Sequence, residues 1–314
     1  MALRLDIYLI QRFTKNNQCE FSRIEIQNFI KNGAIKVNNK IILKPSFDVK
    51  PNYHIEIDES VINQYLQQKV NDTTLKPKEM NIDIVFENEN LIVINKPVGL
   101  TVHPGAGNAN NTLVNGLLAL KNSNKITLSD ERGANRLGIV HRLDKDTSGL
   151  MIIAKNNKSH RLLSELLKSH DIDRRYLALC HGVPIPAIGR IENYICRNKK
   201  NIEKMKVCNF DDDGAKKAIT NYKILKVINN GKYSIVECKL ETGRTHQIRL
   251  HMQTINHPLV GEQIYTTSNL KNDDMKNNFA HQMLHSYKLK FFDPVNGEKI
   301  EIENISSEFK SLLG

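Results

Sequence analysis

A short polar segment between two apolar runs carries the residue types best suited to chemistry. Residues 138–155 read Gly-Ile-Val-His-Arg-Leu-Asp-Lys-Asp-Thr-Ser-Gly-Leu-Met-Ile-Ile-Ala-Lys, which places a histidine, basic side chains and the carboxylates of Asp144 and Asp146 together. The branched residues at 138–140 and 150–154 predict a short strand on each side. Reactive groups are often found on loops that a rigid sheet positions. The segment is therefore a candidate for a site that uses a carboxylate.

The same residue types also suit a purely structural turn, because Asp, Thr, Ser and Gly all favour turns. Asp144 or Asp146 could accept backbone N–H bonds within such a loop. The string His141-Arg142-Leu143-Asp144 faintly resembles a protein-kinase catalytic loop, but no asparagine follows five residues later and no Asp-Phe-Gly lies downstream. The sequence therefore does not favour phosphoryl transfer.

A metal site is the third interpretation of the polar residues. His281 and His285 are spaced one helical turn apart, but no third ligand is apparent in the sequence. Two histidines at this spacing are more often ordinary surface residues than metal ligands. We therefore expect no metal.

Taken as a whole, residues 141–149 closely resemble the motif that carries the catalytic aspartate in the RluA/RluD family of pseudouridine synthases. The resemblance implies that uridine is isomerised within RNA: the N-glycosidic bond breaks, the bound uracil turns, and it rejoins the sugar through carbon. It assigns the reaction to Asp144, acting as a nucleophile or as a base, with Asp146 as the nearest alternative. It implies no cofactor.

Two more strings resemble motifs of this family. In Thr-Gly-Arg-Thr-His-Gln-Ile-Arg at residues 242–249, the resemblance implies that Arg244 pairs with the aspartate, with Arg249 ranked second. A cation is needed there because burial alone raises the pKa of a carboxyl group. Tyr176 matches the active-site tyrosine, whose ring would stack on the extracted uracil. Glu262 stands where the family commonly has aspartate.

The resemblance also covers residues that would handle the RNA around the target base. Arg142 resembles a side chain that fills the gap left when the base is flipped out, a step that costs a few kcal/mol. Residues 95–107 resemble the first family motif, in which Lys96-Pro97 and the glycines let the backbone approach the site. We interpret His141 as a structural residue or a backbone contact.

The N-terminal segment, residues 1–60, resembles an S4 domain, a small α/β RNA-binding module. The resemblance is carried by Arg4-Leu5-Asp6, Ser22-Arg23, Ile30-Lys31-Asn32-Gly33 and Val37-Asn38. It implies that Arg4, Arg23 and Lys31 contact the phosphate backbone, which positions a protein on RNA without reading its sequence. A generic helical cap with a basic face is the alternative. Residues 22–30 are predicted to form a helix, with Gly33 where its C-terminal cap would be.

Composition and strand pattern complete the predicted organisation. Residues 61–80 turn polar and are interpreted as a linker, and residues 81–314 as the catalytic domain. That domain has many strand-like segments, few helices and no regular βαβ repeat. We therefore predict an α+β fold around a mixed or antiparallel sheet.

The 314-residue chain has a formal net charge of +11, which favours a polyanionic partner. Its five cysteines form no Cys-x-x-Cys pair, and no segment approaches the ~18 apolar residues of a membrane span. These features predict a cytoplasmic protein without membrane contact, and we expect a monomer. Residues 102–108 point to the RluD type, so ribosomal RNA of the large subunit (23S) is the expected partner. Another RNA such as tRNA, or a non-catalytic role in ribosome assembly, remains the alternative.

Overall fold

The computed structural model describes residues 3–15, 21, 23–65, 75–105, 108, 110–201 and 203–314. The chain divides into two compact units, Met1–Thr74 and Leu75–Gly314. Within the described part of the chain, no helix is both long and apolar enough to cross a membrane.

The first unit combines a helix pair with short strands. Strands β3-β2-β5 form one antiparallel sheet and β1-β4 a second. Its elements are β1 (Leu3–Arg4), α1 (Leu5–Lys15), α2 (Arg23–Lys31), β2 (Ile35–Val37), β3 (Lys40–Ile41), β4 (Asp48–Val49), β5 (Ile55–Ile57) and a helical segment, α3, over residues 59–65.

The apolar spacing of the first unit's two N-terminal helices buries one face of each. Leu5, Leu9, Ile26 and Ile30 are fully buried in one cluster, which explains why these short helices form. The predicted helix end at Gly33 is confirmed, because its positive φ of 81° lets the chain turn after α2. Ser22, proposed with Arg23 as part of the S4-like pattern, lies outside the described residues.

The segment interpreted as a linker is shorter at both ends than residues 61–80. Ile62 is buried in the core of the first unit, and Leu75 is buried in the core of the second. Residues 66–74 lie outside the described part of the chain.

The second unit is built on a large sheet with helices packed on it. Its elements are β6 (Asp83–Glu87), β7 (Leu91–Lys96), α4 (Leu113–Asn122), β8 (Ser148–Ala154), α5 (Asn157–Ser169), β9 (Asp173–His181), β10 (Ile188–Arg197), β11 (Met205–Cys208), β12 (Lys216–Ile228), β13 (Tyr233–Leu240), α6 (Gln247–Thr254), α7 (Ser268–Lys276), β14 (Leu284–Phe292), β15 (Lys299–Glu303) and α8 (Ser307–Leu313).

The strand order is β11-β10-β12-β13-β9-β14-β8-β7-β6, and β15 pairs with β14 outside this order. Among the described residues, neighbouring strands of this sheet pair antiparallel except β14 and β8, which pair parallel. The predicted mixed sheet is therefore confirmed. The strand predicted at residues 138–140 is wrong: Gly138 turns at a φ of 65°, and Ile139 makes only an isolated bridge with Ile153.

The parallel contact places the start of β8 against the start of β14. Gly149 pairs with Ser286, and Ser286 pairs on its other side with Tyr176 of β9. A Cβ on Gly149 would lie 2.2 Å from the carbonyl oxygen of Ser286, and its φ is 110°. Glycine is therefore required at this position for the loop before β8 to reach the middle of the sheet.

Candidate active site

The loop that leads into β8 is fixed by a buried ammonium group at the end of β7. Lys96 is fully buried, and its Nζ donates to the carbonyl oxygens of Pro97, Leu100 and Lys145 at 2.7, 2.9 and 2.9 Å. Burial lowers the pKa of Lys96 to about 8, although the charges of Asp146 and Asp144 act in the opposite direction. Residues 95–107 are predicted from the motif to contribute their backbone, whereas the side chain of Lys96 also bonds the Asp144 loop through the carbonyl oxygen of Lys145.

Asp144 is paired with Arg249, which lies on α6. Arg249 Nη1 donates to Asp144 Oδ2 at 3.2 Å. The same guanidinium donates from Nε and Nη2 to both carboxylate oxygens of Glu262, each at 2.7 Å. Such a two-pronged contact fixes both the position and the plane of the guanidinium. Glu262 therefore holds Arg249, and Arg249 holds Asp144.

The Arg249–Glu262 pair stays charged although both residues are buried. Burial opposes ionisation of Arg249, but its hydrogen bonds and charge contacts with Glu262 and Asp144 raise its pKa. Burial likewise raises the pKa of Glu262, and the Arg249 contact together with backbone N–H bonds from Ile264 and Tyr265 outweighs it and lowers the pKa. The fixed ion pair supplies a permanent positive charge beside Asp144.

Arg244 does not make the predicted pair with Asp144. Its Nε donates to the carbonyl oxygen of Lys217 on β12 at 2.9 Å. Helix α6 begins at Gln247, so Arg244 lies in the turn before it while Arg249 lies on the helix. The second-ranked arginine is therefore the ion-pair partner, and the first-ranked one lines the same cavity.

Tyr176 lies on the wall of this cavity and is almost fully buried on β9. Burial raises the pKa of Tyr176, with the nearby charge of Asp144 acting in the same direction and Arg174 and Ser286 opposing it. The phenol is therefore protonated at neutral pH and presents an uncharged ring and hydroxyl to the cavity.

The cavity has a volume of about 330 Å³, within the range of about 300–1,000 Å³ that is common for small-molecule sites. It brings together the three residues predicted to be catalytic, Asp144, Tyr176 and Arg244, with Arg249 as a fourth. Arg142 also lines it and is exposed to solvent. A partly buried carboxylate, a flat phenol ring and basic side chains that line one cavity suit a nucleoside taken from a polyanion.

His141 makes the backbone contact that the sequence predicted. Its Nε2 accepts a hydrogen bond from the backbone N–H of Ile152 at 2.9 Å. Burial lowers the pKa of His141 to about 3, and the charge of Arg174 adds to the effect. His141 is therefore neutral and ties the Asp144 loop to β8.

The histidine pair weighed as metal ligands is accounted for by other contacts. His285 lies on strand β14, and its ring nitrogens bond Ser148 Oγ and the carbonyl oxygen of Asn304 at 2.8 and 2.7 Å. His281 faces Glu308 at 3.5 Å. Among the described residues, a different group has ligand spacing: Cys196, Cys208 and Asp212, whose ligand atoms lie within 4.8 Å of one another.

In the first unit, two of the three predicted RNA-binding residues share one carboxylate. Arg4 and Arg23 both donate to the buried side chain of Asp6, at 3.1 and 3.1 Å for the shortest contacts. Gln27 Nε2 adds a third donor at 2.9 Å. About half of each arginine side chain remains exposed, and Lys31 is exposed at the end of α2.

Comparisons with known proteins agree with this geometry. The profile described as RNA pseudouridylate synthase matches residues 90–254, and the S4 domain profile matches residues 20–55. A Zymomonas mobilis protein named ribosomal large subunit pseudouridine synthase D is 36% identical over 303 residues, which cover 96% of this chain and 89% of that protein. A Bacillus subtilis protein named as an uncharacterized RNA pseudouridine synthase is 38% identical, covering 94% and 89%.

A solved structure shares the fold. The human RNA pseudouridylate synthase domain containing 1 superposes with a TM-score of 0.57 at 24% identity, over 76% of this chain and 89% of that one. Fold and site together define an RNA-modifying enzyme with an added RNA-binding module. The chain belongs to the RNA pseudouridine synthase family and carries an S4 domain.

Proposed function

We propose that this protein isomerises uridine to pseudouridine in large-subunit ribosomal RNA and that Asp144 is the catalytic carboxylate. The observation that carries the proposal is the position of Asp144, which lines a cavity together with Tyr176 and accepts a hydrogen bond from the fixed guanidinium of Arg249. The ribosomal target is supported by relatives named as large-subunit synthases, in Zymomonas mobilis and in Borreliella burgdorferi (36% identical over 314 residues).

The reaction is redox-neutral and needs only one carboxylate. The bond between uracil N1 and ribose C1′ breaks, and its electron pair leaves with the uracil. Asp144 either forms a bond to C1′ or removes a proton from C2′. The uracil then turns and its C5 bonds to C1′, which breaks the Asp144–C1′ bond in the first route or is accompanied by return of the proton from Asp144 to C2′ in the second. The C5 proton is then lost while N1 gains one. No cofactor or metal enters this balance.

Two cavity residues suit the handling of the extracted base. The ring of Tyr176 would stack on the uracil, and its hydroxyl would assist proton removal from C5. Arg142 is exposed at the cavity, where it would occupy the space that the extracted base leaves in the RNA. Arg244, which bonds the β12 backbone and lines the same cavity, would contact the RNA backbone near the target.

The S4 unit would hold the surrounding RNA. We assign residues 1–60, extended by the helical residues up to 65, to this unit, and residues 81–314 to catalysis. Arg4, Arg23 and Lys31 would contact phosphates. We propose a monomer that works in the cytoplasm without metal.

The test is direct mapping of pseudouridine. The protein is incubated with 23S ribosomal RNA transcripts, with large-subunit particles and with tRNA, and new sites are mapped by carbodiimide reactivity. We expect a new site in 23S RNA or in the particle with wild-type protein and none with Asp144→Ala. Modification of tRNA alone would move the target to that RNA. No modification of any RNA, with cellular function intact in Asp144→Asn, would indicate a non-catalytic assembly factor.

A further inference from the structure

His246 is placed beside the carboxylate in a way that the motif resemblance did not indicate. Its Nε2 lies 3.8 Å from Asp144 Oδ2, and its side chain is mostly buried in the cavity wall. Its backbone has φ 57° and ψ 20°, a left-handed conformation that few non-glycine residues adopt. Such outliers persist where the surrounding structure enforces them and often mark functional sites.

The position of His246 at the start of α6 makes this conformation more informative. His246 is the N-cap residue of α6, yet its side chain makes no capping hydrogen bond. The side chain of Gln247 instead accepts the backbone N–H of Arg244 at 3.0 Å. The imidazole therefore does not cap the start of α6, and it lines the cavity instead.

A hydrogen-bonded chain links His246 Nδ1 through Tyr265 to the backbone of Met205. The hydroxyl oxygen of Tyr265 accepts the backbone N–H of Met205 at 2.8 Å, and the same hydroxyl lies 2.8 Å from His246 Nδ1. Burial raises the pKa of Tyr265, so the phenol keeps its proton and can donate it to Nδ1. In the tautomer that accepts this bond at Nδ1, the imidazole proton is on Nε2, the nitrogen that faces the Asp144 carboxylate.

Burial keeps the imidazole ring of His246 neutral. Burial lowers the pKa of His246 from its ordinary value of 6.5, and Arg249 and Arg142 lower it further, while Asp144 and Glu262 oppose them. At pH 7 the ring therefore offers an N–H to the carboxylate without adding a second positive charge. A second cation would make Asp144 a weaker base and nucleophile.

We propose that His246 is a positioning residue that, together with Arg249, holds Oδ2 of Asp144 and leaves Oδ1 for the ribose. This inference rests on the proposed function. Both Arg249 Nη1 and His246 Nε2 face Oδ2, at 3.2 and 3.8 Å. The longer distance closes to a hydrogen bond when a nucleoside displaces water from the cavity, as catalytic contacts often tighten in the bound complex.

Kinetics on three variants of the full chain test the role. His246→Ala should lower kcat on the modified RNA by ~10–100-fold, the usual cost of losing an orienting partner, with KM unchanged. His246→Gln places an amide N–H near the Nε2 position and should recover most of kcat. His251→Gln is the matched control, because His251 is also buried on α6 but bonds Thr220 and Asn193 away from the cavity. We expect it to lower Tm and leave kcat of the folded enzyme unchanged.

The pH profile separates positioning from mere packing. As pH falls below 6.5, His246 takes up a proton on Nδ1, loses the bond from Tyr265 and becomes a cation. Wild-type kcat should therefore fall through the lowered pKa of His246, and His246→Gln should lack that acidic limb. A profile that is the same in both proteins contradicts the proposal.

Nitrogen-15 NMR of the imidazole rings provides a readout without RNA. The His246 signals, assigned by their loss in His246→Gln, should show a bare Nδ1 and a protonated Nε2 at pH 7. Tyr265→Phe should shift this pattern toward a mixture of tautomers. A proton on Nδ1 in the wild type, or Ala and Gln variants of equal activity, overturns the inference. If the wild type modifies no RNA, the proposed function fails, and the NMR result still decides the geometry.

Discussion

Two aspartates in this protein pair with guanidinium groups, and they differ in how many hydrogen bonds each one accepts. In the S4 unit, Asp6 is fully buried and receives bonds from Arg4, Arg23 and Gln27. In the catalytic unit, Asp144 is 17% exposed and receives one side-chain hydrogen bond among the described residues, from Arg249. A carboxylate with every lone pair occupied can only stabilise the fold, whereas one with free lone pairs can react.

The electrostatics of Asp6 show what full occupation produces. Burial raises its pKa, but the bonds from Arg4, Gln27 and Arg23 outweigh burial and lower the pKa to about 2. A shift of this size from the ordinary value corresponds to ~2 kcal/mol of stability. That contribution is present at neutral pH and is lost as pH falls from about 4 through 2.

Asp144 is paired with a cation and still has carboxylate lone pairs that accept no side-chain hydrogen bond from the described residues. Glu262 holds Arg249 through Nε and Nη2, and only Nη1 contacts Asp144. The cation is therefore fixed in place while Asp144 accepts a single hydrogen bond from it. The guanidinium is ordered by the Glu262 carboxylate and not by Asp144. The reactivity of Asp144 thus depends on Glu262, whose own oxygens are occupied by hydrogen bonds from Arg249, Ile264 and Tyr265.

The different roles of Asp6 and Asp144 can be tested by removing the charge of each, and the largest effect on activity is expected at Asp144. Asp144→Asn keeps the shape and the neighbours but cannot attack or take a proton, so we expect kcat to fall by ~10⁴-fold or more. Single-turnover modification of the RNA measures this, and a melting curve within a few degrees of wild type shows that the fold is intact. Activity near the wild-type level would remove Asp144 from the mechanism.

The second test compares the two candidate arginines. Arg249→Ala should lower kcat by ~10²–10³-fold, because the carboxylate loses its fixed cation and Glu262 is left as an unpaired buried charge. Arg244→Ala should change KM for RNA by less than ~10-fold and leave kcat nearly unchanged, since its guanidinium bonds the β12 backbone. The opposite ranking would restore the pairing first inferred from the motif.

Arg249→Ala also destabilises the protein, so a milder variant is needed beside it. Glu262→Gln keeps the volume and one acceptor but removes the second prong that orients Arg249. We expect an intermediate loss of kcat, with stability closer to wild type than in Arg249→Ala. Equal kinetics in Glu262→Gln and wild type would show that Arg249 needs no orientation by Glu262.

The sequence was sufficient for the parts of the molecule that are encoded locally. The helix end at Gly33, the strand at residues 150–154, the mixed sheet and the backbone contact of His141 follow from short patterns of residue type. The residue string around Asp144 indicated the family, and the comparisons confirmed it.

The sequence did not identify the arginine beside Asp144, because that choice depends on tertiary contacts. Arg244 and Arg249 are five residues apart, and the first bonds the carbonyl oxygen of Lys217 on β12 while the second is held by Glu262. Glu262 and Tyr265 come from the loop that follows α6, and no helical or strand spacing connects them with Arg249 and His246. The one signal was that Glu262 stands at an acidic position of the family pattern.

The third test is the counterpart substitution in the S4 unit. Asp6→Asn removes the charge that Arg4 and Arg23 share and leaves two arginines facing each other, so the free energy of unfolding should fall by about 1–3 kcal/mol. Urea unfolding of the full chain measures this loss, and limited proteolysis locates it in the first unit. At saturating RNA, kcat should equal that of wild type. A large loss of kcat with unchanged stability would contradict the division of roles between the two aspartates.

The smallest effect is expected at Lys31, which differs from Arg4 and Arg23 because no described residue makes an ion pair with it. Its ammonium is exposed at the end of α2, so Lys31→Ala should leave stability unchanged and weaken RNA binding by only a few fold. If Lys31 contacts one phosphate, the slope of log K against log salt concentration should become shallower by ~0.7–0.9.

Lys310→Ala on α8 is the control, because it removes the same charge from another exposed site. Identical slopes in the two variants would mean that Lys31 adds only to the net charge. A shallower slope for Lys31→Ala alone would show that an unpaired cation of the S4 unit binds RNA directly, in contrast to the arginines that Asp6 holds in place.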